Sequence, residues 1–214
     1  MTSLRARFAE LPAALRWAIL GAAAVLVATL VASAAWSWTE RRETAAARAF
    51  AAVQAAVQPA LASGQPADLE SAAKKLNQFL SDHPRSRVLA QAWYMLGDVE
   101  FHRQRWDAAA TAFAEAARRD KGSVGALSRL GEGYAYEAKG DPGRALQAYQ
   151  PALAGRGPSD FLYGELLLAK ARVQELSKDS AGAVTTYKQY LKDLPSGDHA
   201  EEVRIRLALL GSSG

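Results

Sequence analysis

The chain has 214 residues, 50% hydrophobic and 22% charged, with a net charge of +4. Its length allows one domain or two small ones, and its composition is that of a helix-rich protein. It contains no cysteine, which excludes disulfides, thiolate metal sites, cysteine nucleophiles and a lipid anchor on an N-terminal cysteine. The mild basic excess is spread along the chain with both signs mixed, the pattern of a solvated surface rather than of nucleic-acid binding.

Residues 1–16 form an N-terminal tail and residues 17–39 a transmembrane anchor. The run from Trp17 to Trp38, WAILGAAAVLVATLVASAAWSW, carries no charge. At about 1.5 Å rise per residue it spans a hydrocarbon core of roughly 30 Å. Tryptophans stand at both ends, where aromatic rings favour the membrane interface. A cleaved signal peptide is the competing reading, with Arg5, Arg7 and Arg16 as its basic region and Ala32-Ser33-Ala34 as an A-x-A cleavage site. The retained anchor is preferred because the apolar run continues past Ala34 to Trp36 and Trp38. Arginines balance across the run, with Arg5, Arg7 and Arg16 before it and Arg41, Arg42 and Arg48 after it. The positive-inside rule is therefore nearly silent. The short tail and large C-terminal part suggest a signal anchor with the domain outside the cytoplasm.

Residues 43–84 read as a degenerate first helix pair. Glu43 to Ala62 is one helix, continuous with the span and distorted near Pro59, which lacks a backbone donor. Ser63-Gly64-Gln65-Pro66 is a turn, and Asp68 a candidate N-cap for a helix carrying Ala72, Leu76 and Phe79 and ending before Pro84.

Residues 86–197 carry the strongest pattern. Trp93-x-x-Leu96-Gly97 precedes Ala109, Phe113 and Ala116. Leu130-Gly131 then precedes Ala145, Tyr149 and Ala152, and Ala183, Tyr187, Tyr190 and Pro195 close a further unit. The Leu-Gly pair recurs two residues sooner than the Ala/aromatic set does, and the turn Gly140-Asp141-Pro142-Gly143 is the expected place of the insertion. Gly97 and Gly131 lie mid-helix, where glycine costs about 1 kcal/mol relative to alanine, so both mark close helix contacts. The pattern resembles the tetratricopeptide repeat (TPR), a helix–turn–helix unit with W-x2-L-G on its first helix and Ala/Phe positions on its second. Residues 198–211 read as a capping helix that starts with the capping box Asp198-x-x-Glu201. It lays Val203, Leu207 and Leu210 on the last repeat, as the end of a solenoid requires. The expected fold is all-α: an N-terminal single transmembrane helix, then a TPR-type α-solenoid of antiparallel helix pairs with a C-terminal capping helix.

Chemistry is hard to find. His83, His102 and His199 fall in separate segments without metal-ligand spacing. Gly131-x-Gly133 sits inside a repeat helix, and a nucleotide loop needs strand, turn and helix. No catalytic residue, cofactor or metal is expected, and the chain reads as a non-enzyme. What remains is a surface. The resemblance implies that first helices line a concave groove that takes a protein segment. Carrying the groove positions over gives Gln91, Tyr94, Asp98, Phe101 and His102 in one repeat and Ser128, Glu132, Ala135 and Tyr136 in the next. Tyr94, Phe101 and Tyr136 would be its aromatic anchors, although Phe101 can equally be a core residue. Asp98 and Glu132 stand where a carboxylate-clamping groove would carry Lys, Arg and Asn.

The whole layout, with its short tail, Ala-rich span flanked by tryptophans, Ala/Arg segment from Ala45 to Phe50 and degenerate repeats, resembles the YfgM-type ancillary subunit family of the bacterial SecYEG translocon. That resemblance implies a single-pass protein of the bacterial inner membrane. Its extracytoplasmic, periplasmic domain would be a scaffold for protein–protein interaction, accessory to the translocon or to chaperones. The membrane partner would be engaged through Trp17–Trp38, and no nucleic acid is expected. The alternative is a periplasmic repeat protein of envelope assembly or cell division, released by cleavage.

Overall fold

A computed structural model describes residues 12–212; Arg5 and Arg7 of the tail lie outside it. Every regular element among the described residues is a helix. The chain divides into two units, the first ending at Ala46 and the second beginning at Ala47.

Helix α1 (Ala13–Ser63) opens the chain. By length and composition it is a candidate membrane span, with its apolar window wholly uncovered by protein. Trp17, Val25, Leu30, Trp36 and Trp38 all face outward. Two threonines in this stretch bond to their own helix. Thr29 and Thr39 donate to the carbonyls of Leu26 and Trp36, both at 2.8 Å, the local side-chain to backbone bond that a helical threonine can make to the preceding turn. Arg42 stacks over the Trp38 ring at 4.3 Å.

In the second unit α1 runs through Pro59 to Ser63 without breaking. Gly64 then takes a left-handed φ of 63°, a conformation glycine adopts without steric cost. Helix α2 (Pro66–Asp82) begins on proline, whose missing N–H would be unpaired there anyway. Asp68 is therefore not the N-cap. It lies inside the first turn and accepts from the Ser63 hydroxyl at 2.8 Å, at the end of the helix dipole that favours an anion.

The repeats follow as α3 (Leu89–His102), α4 (Trp106–Arg119), α5 (Ser123–Lys139), α6 (Pro142–Leu153), α7 (Tyr163–Leu176) and α8 (Ser180–Asp193), and α9 (Ala200–Ser212) ends the described chain. The turns inside the three pairs are built alike. Gln104, Gly140 and Lys178 each take a positive φ. The next N–H, of Arg105, Asp141 and Asp179, reaches back to the carbonyl of Glu100, Tyr136 and Gln174 at 2.8–2.9 Å. This is the Schellman closure, which satisfies carbonyls that a helix end would leave unpaired.

These equal turns correct the expected place of the insertion. It does not lie at Gly140–Gly143 but upstream, in a first helix lengthened to 17 residues where α3 and α7 have 14. Counted back from the turns, Gly97, Gly133 and Ala171 are equivalent. A Cβ on Gly97 would come within 2.6 Å of the Phe113 ring, and one on Gly133 would overlap the Tyr149 ring. Ala171 packs in one cluster with Tyr187. Gly131 meets Phe113 from the other side, where its Cβ would stand 2.7 Å away. One phenyl ring is thus wedged between the glycines of two successive first helices.

Gly97→Leu and Gly131→Leu are each expected to destabilise the repeat unit by about 1–3 kcal/mol through overpacking. Because both side chains press on Phe113, combining either with Phe113→Ala should cost less than the sum of the single effects. Thermal melts by circular dichroism check this, and unchanged midpoints for both single variants would contradict it.

Helix α9 buries Ala200 and Val203 against α7 and α8, with Leu207 and Leu210 partly packed on the same cluster. Its expected capping box does not form. Asp198 precedes the first helical residue by two positions, and Glu201 pairs with Arg204 at 3.0 Å. Ile205 and Leu209 face outward beside the charges.

Candidate functional site

The close approach at Gly97 and Gly131 brings the outer stripes of α3 and α5 side by side. On α3, Tyr94, Asp98, Phe101 and His102 recur at helical spacing, and on α5 Leu127, Leu130, Gly131 and Tyr134 do the same, so each set lies on one face. Between them is a hollow of about 180 Å³ with Phe113 of α4 as part of its floor. Its lining is mostly apolar. Tyr94 packs on Phe113 with ring centroids 5.6 Å apart, and Phe101 meets Trp106 edge-on at 5.1 Å. Phe101 is thus both a packing residue and part of the hollow's wall.

Besides the phenols of Tyr94 and Tyr134, the polar groups of the hollow are Asp98 and His102. The imidazole Nδ1 lies 2.9 Å from the Asp98 main-chain carbonyl and 3.5 Å from its carboxylate, and both side chains remain substantially exposed, 45% for His102 and 37% for Asp98. Burial raises the Asp98 carboxyl above its ordinary range, and His102 opposes that shift. Burial, together with the Asp98 charge, raises the Tyr94 phenol.

The residues expected on this surface divide. Tyr94, Asp98, Phe101 and His102 come together at the hollow. Gln91 is exposed on the same helix but does not line it. Ser128 is wholly buried, and its hydroxyl donates to the Val124 carbonyl at 2.7 Å; it leaves the set. So does Ala135, which is fully buried beside Phe113. Glu132 is only partly exposed, and its Oε2 is buried without a hydrogen bond, 4.0 Å from Arg129. Burial raises its carboxyl, while the charges of Arg129 and Arg118 work against the shift. Tyr136 is half-buried beneath the Arg144 guanidinium, 5.3 Å from the ring centre, and so does not reach the hollow.

Sequence reasoning missed Leu127, Leu130 and Tyr134 as lining residues. The signal was available: they repeat at three- and four-residue steps around Gly131, the position already read as a close contact. Tyr134 also ties repeats together. Its hydroxyl donates to the Glu165 carboxylate of α7, and Arg172 of α7 stacks over its ring at 5.5 Å. Arg172 in turn forks onto Glu137 at 2.8 and 3.0 Å.

Antiparallel helix pairs stacked in one direction, with successive first helices bordering a common hollow, define an α-solenoid built for protein recognition. The profile of the tetratricopeptide repeat family matches residues 60–124 and 130–199, more than half of the chain. The chain belongs to the tetratricopeptide repeat family, whose domains are protein–protein interaction scaffolds. No curated protein matches it.

Proposed function

We propose that this chain is a membrane-tethered scaffold, not an enzyme, which holds a protein segment in the hollow between α3 and α5 on the extracytoplasmic side of a bacterial inner membrane. The observation that carries the reading is the hollow itself: an apolar recess framed by Tyr94, Phe101 and Tyr134 on adjacent first helices of a TPR domain. Its volume suits one large apolar side chain of the partner, and aromatic walls of this kind often hold the binding energy. Asp98 and His102 stand one turn apart on a single helix, and the imidazole bonds the Asp98 main-chain carbonyl at 2.9 Å, which leaves the half-exposed carboxylate able to contact a bound chain. The uncovered apolar stretch of α1 supports the tether. The layout of span, Ala/Arg segment and repeats supports a role beside the translocon or periplasmic chaperones.

Capture of partners from solubilised membranes with the intact chain tests the reading. Tyr94→Ala combined with Tyr134→Ala is expected to weaken binding at least about thirtyfold, the loss of one hot spot of about 2 kcal/mol, while helical circular dichroism is retained. Full binding by the folded double variant overturns the groove. Alkaline carbonate should leave the chain in the membrane fraction; a soluble product starting at Ala35 overturns the tether and turns the reading to a released envelope protein.

A further inference from the structure

We propose that the cleft between the second half of α1 and helix α2 is a second docking site, which takes an acidic amphipathic helix of a partner protein. The cleft measures about 460 Å³, more than the groove hollow, and shares no lining residue with it. Its floor is apolar. Ala49 and Val53 stand one turn apart on α1 and face Phe79 of α2, whose ring is braced by Phe50 at 5.3 Å and His83 at 4.9 Å. Lys74 and Lys75 border the floor, and among the described residues neither has a hydrogen-bond or ion-pair partner. The one carboxylate on the rim, Asp82, accepts from Gln78 at both oxygens, at 3.0 and 2.9 Å. An amide donor leaves that carboxylate charged but occupies both its oxygens, so the rim carries two lysines against one aspartate and its balance is positive, set over an apolar recess.

Those features fit a helix with an apolar stripe edged by Asp and Glu. Apolar floor residues one helical turn apart match anchors at three- and four-residue steps on an opposing helix. Two unpaired ammonium groups on flexible stems suit scattered carboxylates rather than one planar group held by a fork. Complementary charge at such a rim sets orientation and partner choice. A lipid headgroup layer cannot follow a floor recessed between two helices, which favours a protein helix over a bilayer surface.

The test uses the full chain in discs of neutral phosphatidylcholine and a fluorescent helical peptide with one leucine face and flanking glutamates. Saturable binding is expected. Lys74→Glu with Lys75→Glu should weaken it about tenfold, which asks about 0.7 kcal/mol of each of two exposed charge pairs, within their range. A peptide with lysine in place of each glutamate should show the reverse preference, favouring the charge-reversed chain, and Tyr94→Ala should leave the glutamate peptide's affinity unchanged. Equal affinity for wild-type and reversed chains, or a loss that follows Tyr94→Ala instead, overturns the proposal. Two other results assign the cleft elsewhere and also overturn it. In one, the lysine reversal changes binding to phosphatidylglycerol vesicles but not to the peptide. In the other, it breaks a dimer of the chain detected by sedimentation without peptide.

Discussion

Replacing Tyr149 by alanine is expected to destabilise the repeat unit by about 3–5 kcal/mol, the range for truncating a buried aromatic ring. The side chain is wholly inaccessible. Its ring fills the space that Gly133 leaves open and meets Tyr134 edge-on at 6.1 Å. Its hydroxyl donates to Glu137, which also receives both bonds from Arg172. The cavity would thus open where α5, α6 and α7 join, and in a stacked array the interface between neighbouring repeats carries much of the stability. At about 2–4 °C per kcal/mol for a unit of this size, the midpoint should fall by roughly 10 °C. Tyr149→Phe keeps the ring and should cost only about 1 kcal/mol, because Glu137 retains Arg172. Gly133→Ala should be destabilising on its own and milder beside Tyr149→Ala, since the ring it strikes is gone. Calorimetric melts of the four variants beside wild type measure all of this. A Tyr149→Ala midpoint within 2 °C of wild type, about 1 kcal/mol or less, would mean the ring is not the wedge between these helices.

How far the sequence discloses this arrangement differs from residue to residue. A glycine in mid-helix costs stability unless something needs the space, so Gly97 and Gly131 already point to a close contact, and Phe113 supplies it from both sides. Gly133 conceals the same role, because beside Gly131 it reads as one half of a G-x-G pair. Matching repeats by their Leu-Gly pairs then misplaces the insertion. The packing register follows the small residue opposite the second-helix aromatic, and that relation is between helices rather than along one. A hydrogen-bond pattern hides in a similar way. Glu137 and Glu175 each lie 12 residues before the tyrosine whose hydroxyl they accept, while the first of these repeats has Phe101 before Phe113 and needs no such bond. The change from Phe/Phe to Glu/Tyr is visible in the residues, but its meaning requires the turn to bring both side chains together. Local competition explains the smaller differences: Pro66 takes the start of α2 from Asp68, and Ser128 bonds to its own helix instead of facing the groove.

The repeat unit is expected to lose stability steeply in alkali, from about pH 10 upward, through Tyr149 and Tyr187. Both rings are buried. Burial raises each phenol well above its ordinary value, and the hydrogen bond to a carboxylate and that carboxylate's charge, of Glu137 for Tyr149 and of Glu175 for Tyr187, raise it further. The sign follows from the direction. A phenol that binds its proton more tightly in the folded chain contributes a stabilisation that is complete below the unfolded value of about 10 and is lost as pH rises toward the folded value. In that window the unfolded chain has released two protons that the folded chain keeps. Stability should therefore fall by about 2.7 kcal/mol per pH unit from these two sites. Tyr134, raised by burial first and then by its bond to Glu165, adds the slope of one further proton, which the double variant below leaves in place. The double variant Tyr149→Phe/Tyr187→Phe separates the contributions. Phe113 shows that a phenyl ring fits this position of the repeat, and the carboxylates keep Arg172 at 2.8 Å and Arg206 at 3.9 Å. At neutral pH the variant should be the less stable chain by about 1–3 kcal/mol, for two lost hydrogen bonds. Above about pH 10 its stability should decline with a slope shallower by about 2.7 kcal/mol per unit, so that the two curves converge and then cross. Urea titrations across that range, read by circular dichroism, measure both slopes. Parallel curves would mean that neither phenol is held protonated by the fold, and the burial and carboxylate contacts assigned to Tyr149 and Tyr187 would have to be abandoned.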